Sequence, residues 1–239
     1  MEDFRFQQFT ISHRHSTLKV GTDALLLGVL AELTGAEKLI LDVGAGCGII
    51  ALMLAQRSSA DIDAIDIDEP SVMEAGANFC RSPWPSRLQS VCASYQDYAE
   101  SCALRYDLIV SNPPFFQNCL LPKEEKFGIA KHNQQLSFDE FLCCSVALLS
   151  DEGTLALILP VAESEIFIGK AEKSGLYLSS LIEIIPIETK PVNRKVLHFS
   201  RKTGVGQVFK KITLREKNGK FSEEYKALTR DFHPEEYFR

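Results

Sequence analysis

Leu39-Ile-Leu-Asp-Val-Gly-Ala-Gly-Cys-Gly48 is an apolar strand that runs into three glycines at alternate positions and then into a helical pattern, Cys47 to Gln56. Glycines suit that junction. A strand that turns at once into a helix needs unusual dihedrals, and bare backbone lets a ligand come close to the helix amino terminus. Outward from the loop, strand-length apolar runs alternate with helical patterns, the mark of a parallel sheet covered by helices and hence of an α/β fold.

The spacing predicts strands over Lys38 to Asp42, Ile62 to Asp66, Leu88 to Ala93, Asp107 to Ser111 and Thr154 to Leu159. Helices are expected over Asp23 to Leu33, Cys47 to Gln56, and Pro70 to Cys80 with proline in its first turn, where the missing N–H does no harm. Ser137 and Glu140 make a capping box ahead of a helix to Leu149, and Asp-Glu-Gly at 151–153 reads as a turn. Another helix runs from Ala162 to Gly175. Tyr177 to Ile185 and Lys195 to Phe199 are expected to form an antiparallel hairpin, followed by a strand near Val208 to Arg215. A last helix from Ser222 would put Tyr225, Leu228 and Phe232 on one face. No linker divides the chain, so one domain is expected: an extension and leading helix (1–36), a core (37–200) and a carboxyl-terminal strand and helix (201–239).

Composition narrows the function. With 45% apolar and 24% charged residues the 239-residue chain is neither disordered nor fibrous. The longest apolar run, Ala24 to Ala31, is far short of the roughly twenty residues of a membrane span, and no export signal is visible, so a cytoplasmic protein is expected. Seven cysteines without a Cys-x-x-Cys pair, and five histidines without ligand spacing, argue against disulfides and against a metal. The net charge of −6 hides an asymmetry: Lys190 to Lys220 holds ten Lys or Arg against the single acid Glu216. Such a segment on an acidic body reads as a face for a polyanion, or else as an edge strand guarded by lysines.

The glycine spacing is G-x-G-x-G, with Ile49 where a dinucleotide fingerprint needs its third glycine. That disfavours a pyrophosphate. Asp42 would repel a phosphate but suits the ammonium end of S-adenosylmethionine, and Asp66, ending the second strand, can accept from ribose hydroxyls. A second motif, Ser111-Asn-Pro-Pro-Phe115, ends the fourth strand. The prolines hold the backbone extended, so the Asn112 side-chain oxygen and the Pro113 carbonyl offer two acceptors to one planar NH2 group. Taking both hydrogens frees the nitrogen lone pair to attack an electrophilic methyl, and Phe115 can stack on the planar acceptor. Asn112, Pro113, Pro114 and Phe115 are the candidate catalytic residues.

Together these loops resemble the cofactor and acceptor motifs of class I S-adenosylmethionine-dependent N-methyltransferases. Further stretches make the chain similar to the bacterial tRNA1(Val) (adenine37-N6)-methyltransferase family: Phe6-Gln-Gln-Phe9, Lys19 to Gly28, Leu41 to Arg57, Ser82-Pro-Trp84, Ser111 to Phe116 and Phe221 to Phe232. The resemblance implies a Rossmann-like, seven-stranded, mostly parallel sheet with helices on both faces and its last strand antiparallel. It implies methylation of N6 of the adenine beside the anticodon of a valine tRNA; a guanine N2 of ribosomal RNA or a protein glutamine is the alternative. Asp42, Gly44, Ala45, Gly46, Gly48, Asp66 and Ile67 match the cofactor positions. Ser94 stands where relatives commonly carry an Asp for the cofactor adenine. Lys19 to Asp23 either closes the cofactor pocket or is a helix start capped by Thr22 or Asp23. Phe115, Lys131, Arg194 and Lys195 are the expected substrate contacts, with Arg194 and Lys195 in a loop between the hairpin strands. The run Lys123 to Lys126 is a solvated loop or a lid.

Overall fold

The computed structural model describes residues 3–16, 20–113, 136–203 and 208–238. Among the described residues, eight strands form the main sheet: β1 (Leu39–Val43), β2 (Asp61–Asp66), β3 (Leu88–Cys92), β4 (Tyr106–Ser111), β5 (Leu149–Pro160), β6 (Tyr177–Ile185), β7 (Arg194–Ser200) and β8 (Val208–Thr213). Their order is β8-β6-β7-β5-β4-β1-β2-β3. Neighbours run parallel except at β7, which is antiparallel to both β5 and β6.

A sheet of this kind is buried on both faces, and successive residues of each strand feed opposite cores. Ile40, Leu108, Ala156 and Val196 join one apolar cluster; their neighbours Leu41, Ile109, Leu157 and Leu197 join the other. The first cluster is covered by α1 (Thr22–Leu30), α2 (Ile49–Arg57) and α3 (Glu69–Arg81), the second by α4 (Tyr95–Ser101), α5 (Phe138–Leu148) and α6 (Val161–Lys173). The expected capping box is present, Ser137 and Glu140 each bonding the other's backbone. The last helix, α7 (Glu223–Thr229), buries Tyr225 and is followed by the buried Phe232.

The structure departs from expectation in several places. The sheet has eight strands, not seven, and the antiparallel strand is the seventh, not the last. β8 lies outside β6 and parallel to it, pairing an edge that would otherwise expose unpaired backbone groups. Asp-Glu-Gly at 151–153 lies inside β5, because the strand begins at Leu149, opposite Tyr106, across an irregularity in the β4 pairing. Helix α4 has too little apolar periodicity to be read from sequence. The adjacent cysteines on α5 face opposite ways, Cys144 buried and Cys143 exposed, although the apolar run around them reads as core.

A short ribbon, Phe4–Arg5 with Thr10–Ile11, was also not foreseen. It clamps the two ends of the chain together. Gln7 N–H donates to the Phe232 carbonyl at 2.8 Å, and the Gln7 side-chain amide donates to the carbonyls of Arg230 and His233. Phe6 stacks on Phe9 and on the buried His233 ring. Two of the sequence stretches that carry the resemblance, 6–9 and 221–232, are therefore one packing unit.

Candidate functional site

The carboxyl ends of the parallel strands deliver their loops to one edge. Gly44, Gly46 and Gly48 all have positive φ, at 72°, 55° and 82°. At Gly48, the residue that caps the start of α2, an added Cβ would also lie 2.5 Å from the Phe79 ring, so the position excludes a side chain twice over. The loop is tied to β2: Gly44 and Ala45 N–H donate to the Ile65 carbonyl at 2.9 and 3.0 Å, and Gly46 N–H donates to Asp66 Oδ2 at 2.8 Å. Asp66 Oδ1 accepts from Asp68 N–H at 3.0 Å. Each Asp66 oxygen keeps lone-pair capacity for a further donor.

Asp42 is fully buried on β1. Its Oδ2 accepts from Ala51 N–H at 3.1 Å in the first turn of α2, and Oδ1 has no partner among the described residues. Burial pushes its pKa up to about 7; the Ala51 hydrogen bond opposes this and the nearby Asp66 charge adds to it. The Asp66 carboxyl is also raised by burial, against the hydrogen bonds from Asp68 and Gly46. An orphaned buried acceptor beside a glycine cradle, with a second acid at the next strand end, fits a ligand carrying an ammonium and a pair of hydroxyls.

A pocket joins Gly44, Asp66, Ile67, Ser94, Gln96 and Leu136. Ile67 stands 55% exposed and offers an apolar face to a ring. Ser94 lines the pocket, but its hydroxyl is spent on the α4 cap, accepting from Asp97 N–H at 3.0 Å and donating to Asp97 Oδ2 at 2.7 Å. Asp97 turns back to Ser94 as a cap partner. A separate cavity of about 780 Å³, between the amino-terminal segment and α3, includes neither the glycine loop nor Asn112.

Asn112 and Pro113 follow β4 directly and are half-buried. Ser111 is in register with Val43 and its hydroxyl donates to the Val43 carbonyl at 2.8 Å, so Asn112 and Gly44 leave the sheet side by side. Pro114, Phe115, Lys131, Lys19 and the run 123–126 lie outside the described residues. The arrangement can hold a ligand over the glycine loop and, one strand away, present side-chain and backbone acceptors to a second molecule.

The basic segment differs from expectation. Arg194 and Lys195 begin β7 and do not lie in a loop. Arg194 opposes Pro160 at the end of β5, which puts it on the same edge as the glycine loop. Its Nε donates to Asp23 at 2.8 Å, while Lys195 is buried and ion-paired with Glu165. Lys202, Lys211 and Lys217 pair with Glu152, Glu183 and Glu188, and Arg215 lies 4.0 Å over the Phe221 ring. Much of the local positive charge is thus neutralised from elsewhere in the chain. Asp23, whose side chain was expected to cap α1 or close the pocket, holds Arg194; Gly21 occupies the cap position without a side-chain bond.

Sequence reasoning missed Glu74 and Asn78. Both are buried on the inner face of α3, where polar residues at apolar positions, together with Ser71, were a readable signal. Among the described residues no group of three or more His, Cys, Asp or Glu could hold a metal, and no helix is long and apolar enough to cross a membrane.

Residues 12–161 match the methyltransferase small domain family. A protein of Trichodesmium erythraeum is 43% identical over 233 residues, covering 96% of this chain and 97% of its own, and one of Parabacteroides distasonis is 39% identical over 230 residues with the same coverage. Both bear the name tRNA1(Val) (adenine(37)-N6)-methyltransferase. Among solved structures, a predicted O-methyltransferase of Agrobacterium tumefaciens superposes with a TM-score of 0.68 at 16% identity, over 88% of this chain and 96% of that one. A putative RNA methyltransferase of Pyrococcus horikoshii gives 0.52 at 15% identity, over 76% and 81%. These two share the fold.

Proposed function

The chain belongs to the tRNA1(Val) (adenine(37)-N6)-methyltransferase family, and we propose on that premise that it methylates N6 of the adenine beside the anticodon of a valine tRNA, in the cytoplasm, as one methyltransferase domain. The observation that supports the reading most is the Val43–Ser111 register, by which Asn112 and Gly44 leave neighbouring strands side by side. S-adenosylmethionine, when bound, supplies an electrophilic methyl group on a sulfonium. The chain's own residues do the rest. Asp42 and Asp66 receive the ammonium and ribose ends, Gly44 to Gly48 admit the ligand to the backbone, and Ile67 packs on the ring. The Asn112 side-chain oxygen and the Pro113 carbonyl accept the two hydrogens of the target amine and orient its lone pair. Phe115 stacks on a base flipped out of the loop. No strong base is needed, because the methyl donor is cationic and the reaction needs orientation and acceptors. Exposed Lys190, with Arg194 released from Asp23, meets phosphates on the same edge; Lys131 is a further candidate, and Lys195 is committed to Glu165.

Incubation with methyl-labelled S-adenosylmethionine and either total tRNA or total protein tests this. Label is expected in tRNA, as N6-methyladenosine after digestion. Label in protein, or in a methylated guanine, would replace the adenine reading with one of its alternatives.

A pH dependence follows from Asp42. Its folded-state pKa of about 7 lies well above the ordinary aspartate value, so between the two the free protein holds a proton that the unfolded chain releases. Stability of the free protein should therefore fall as pH rises through that window. An ammonium ligand favours the ionised carboxylate, so cofactor affinity should rise with pH, by up to about tenfold per unit below pH 7, and level off above it. Calorimetry between pH 5.5 and 8.5 measures this, and Asp42→Asn should flatten the profile. A flat wild-type profile would mean that Asp42 does not meet the ligand charge.

A further inference from the structure

The inner face of α3 carries three buried polar residues, Ser71, Glu74 and Asn78, and each is bonded to the amino-terminal segment 12–16. The Glu74 carboxylate sits in a nest of donors. Its Oε1 accepts from Ser12 Oγ at 2.8 Å and Arg14 N–H at 2.6 Å, and its Oε2 from His15 N–H at 3.1 Å and Ser16 N–H at 2.7 Å. Burial raises its pKa, but the bonds from Ser16, Ser12, Arg14 and His15 outweigh that and hold it below the ordinary glutamate value. The nest thus stays charged at neutral pH.

Two paths run from this segment to the cofactor-facing groups. Asn78 Nδ2 divides its hydrogens between the Ser12 carbonyl at 2.8 Å and the Cys47 carbonyl at 2.9 Å, the latter inside the glycine loop. Asn78 Oδ1 also accepts from Ser12 N–H at 2.9 Å. The second path passes from Ser16 Oγ to Ser71 Oγ (3.3 Å), on to Asp68 Oδ2 (2.6 Å), and from Asp68 N–H to Asp66 Oδ1 (3.0 Å).

We propose that Glu74 and Asn78 are positioning residues that couple docking of segment 12–16 to cofactor binding: the docked segment holds the glycine loop and Asp66 in their binding geometry, and bound cofactor holds the segment down. This rests on the reading that the glycine loop and Asp66 receive S-adenosylmethionine. Such coupling is reciprocal, so the factor by which docking tightens the ligand equals the factor by which the ligand protects the segment.

The substitutions act through donor and acceptor chemistry at nearly constant volume. Glu74→Gln turns an NH2 donor toward N–H donors, and Asn78→Asp turns acceptors toward two carbonyls. The test uses the full chain with S-adenosylhomocysteine as the unreactive probe, reading its affinity by calorimetry and amide exchange at residues 14–16. In the wild type the probe should slow that exchange. Glu74→Gln should speed exchange in the free protein and weaken the probe by about tenfold or more, raising KM for the cofactor while kcat at saturation stays within about twofold. Asn78→Asp should lose most of the ligand-dependent protection. If Glu74→Gln does not fold, Ser12→Ala removes one bond of the nest and should shift both readouts the same way by about two- to threefold. Exchange that speeds up while affinity is unchanged, or a probe that leaves exchange unaltered in the wild type, overturns the coupling and leaves a structural clasp. Asp66→Ala run in parallel separates the two failures: undiminished affinity there overturns the loop reading itself.

Discussion

Asn112→Ala is expected to cut single-turnover methylation by a hundredfold or more, with cofactor affinity changing by less than about threefold. The side chain follows Ser111, whose hydroxyl is tied to the Val43 carbonyl, so the strand end is held whether or not the amide is present. Removing the amide deletes one of two acceptors for the reacting nitrogen. By analogy with the loss of one preorganised transition-state contact, the cost is ~3 kcal/mol. Nothing at the ribose end is touched, because Asp66 and Gly46 bond each other through β2 and the glycine loop. Rapid-quench turnover with enzyme in excess measures the chemical step, and a near-normal rate would show that another group holds the amine.

Asp66→Ala should do the reverse and lower cofactor affinity by about a hundredfold. The carboxylate is the partner of Gly46 N–H and Asp68 N–H, so its loss removes the acceptor for ribose hydroxyls and frees the middle of the glycine loop as well. Hydrogen bonds to a charged group contribute roughly 1.5–3 kcal/mol each, and two lost hydroxyl contacts amount to a hundredfold or more. Methylation at saturating cofactor should recover most of the wild-type rate, since the Asn112 acceptors are intact. Equilibrium binding measures the first effect and turnover at high cofactor the second. An affinity within threefold of wild type would place the ribose elsewhere.

The local elements were legible because their causes are local. Three glycines at alternate positions after an apolar strand already demand positive φ, and the structure has it at all three. Continuous apolar runs of strand length specify strands buried on both faces, and Ser137 with Glu140 specifies a helix start. The position of Asn112 at a strand end is likewise readable, since proline cannot continue a central strand. The eighth strand shows the limit: a strand near Val208 to Arg215 is readable, but that it pairs with β6 on the outer edge depends on which edge the rest of the sheet leaves open.

What the tertiary structure alone decided are the properties that depend on neighbours distant in sequence. Ten cations within thirty-one residues read as a polyanion-binding face, yet the sheet order brings Asp23, Glu152, Glu165 and Glu183 against four of them. Asp42 is an ordinary carboxylate in sequence; its pKa of about 7 comes from the layers that close over β1. Glu74 and Asn78 stand at positions of α3 that face inward, but what they meet there, the amino-terminal segment that uses them as acceptors, is set only by the fold. Backbone dihedrals and hydrophobic period are carried by the residue and its near neighbours, so the sequence alone determines them. Charge balance, desolvation and hydrogen-bond partnership are sums over whatever folding brings within a few ångströms, and only the packed chain contains those sums.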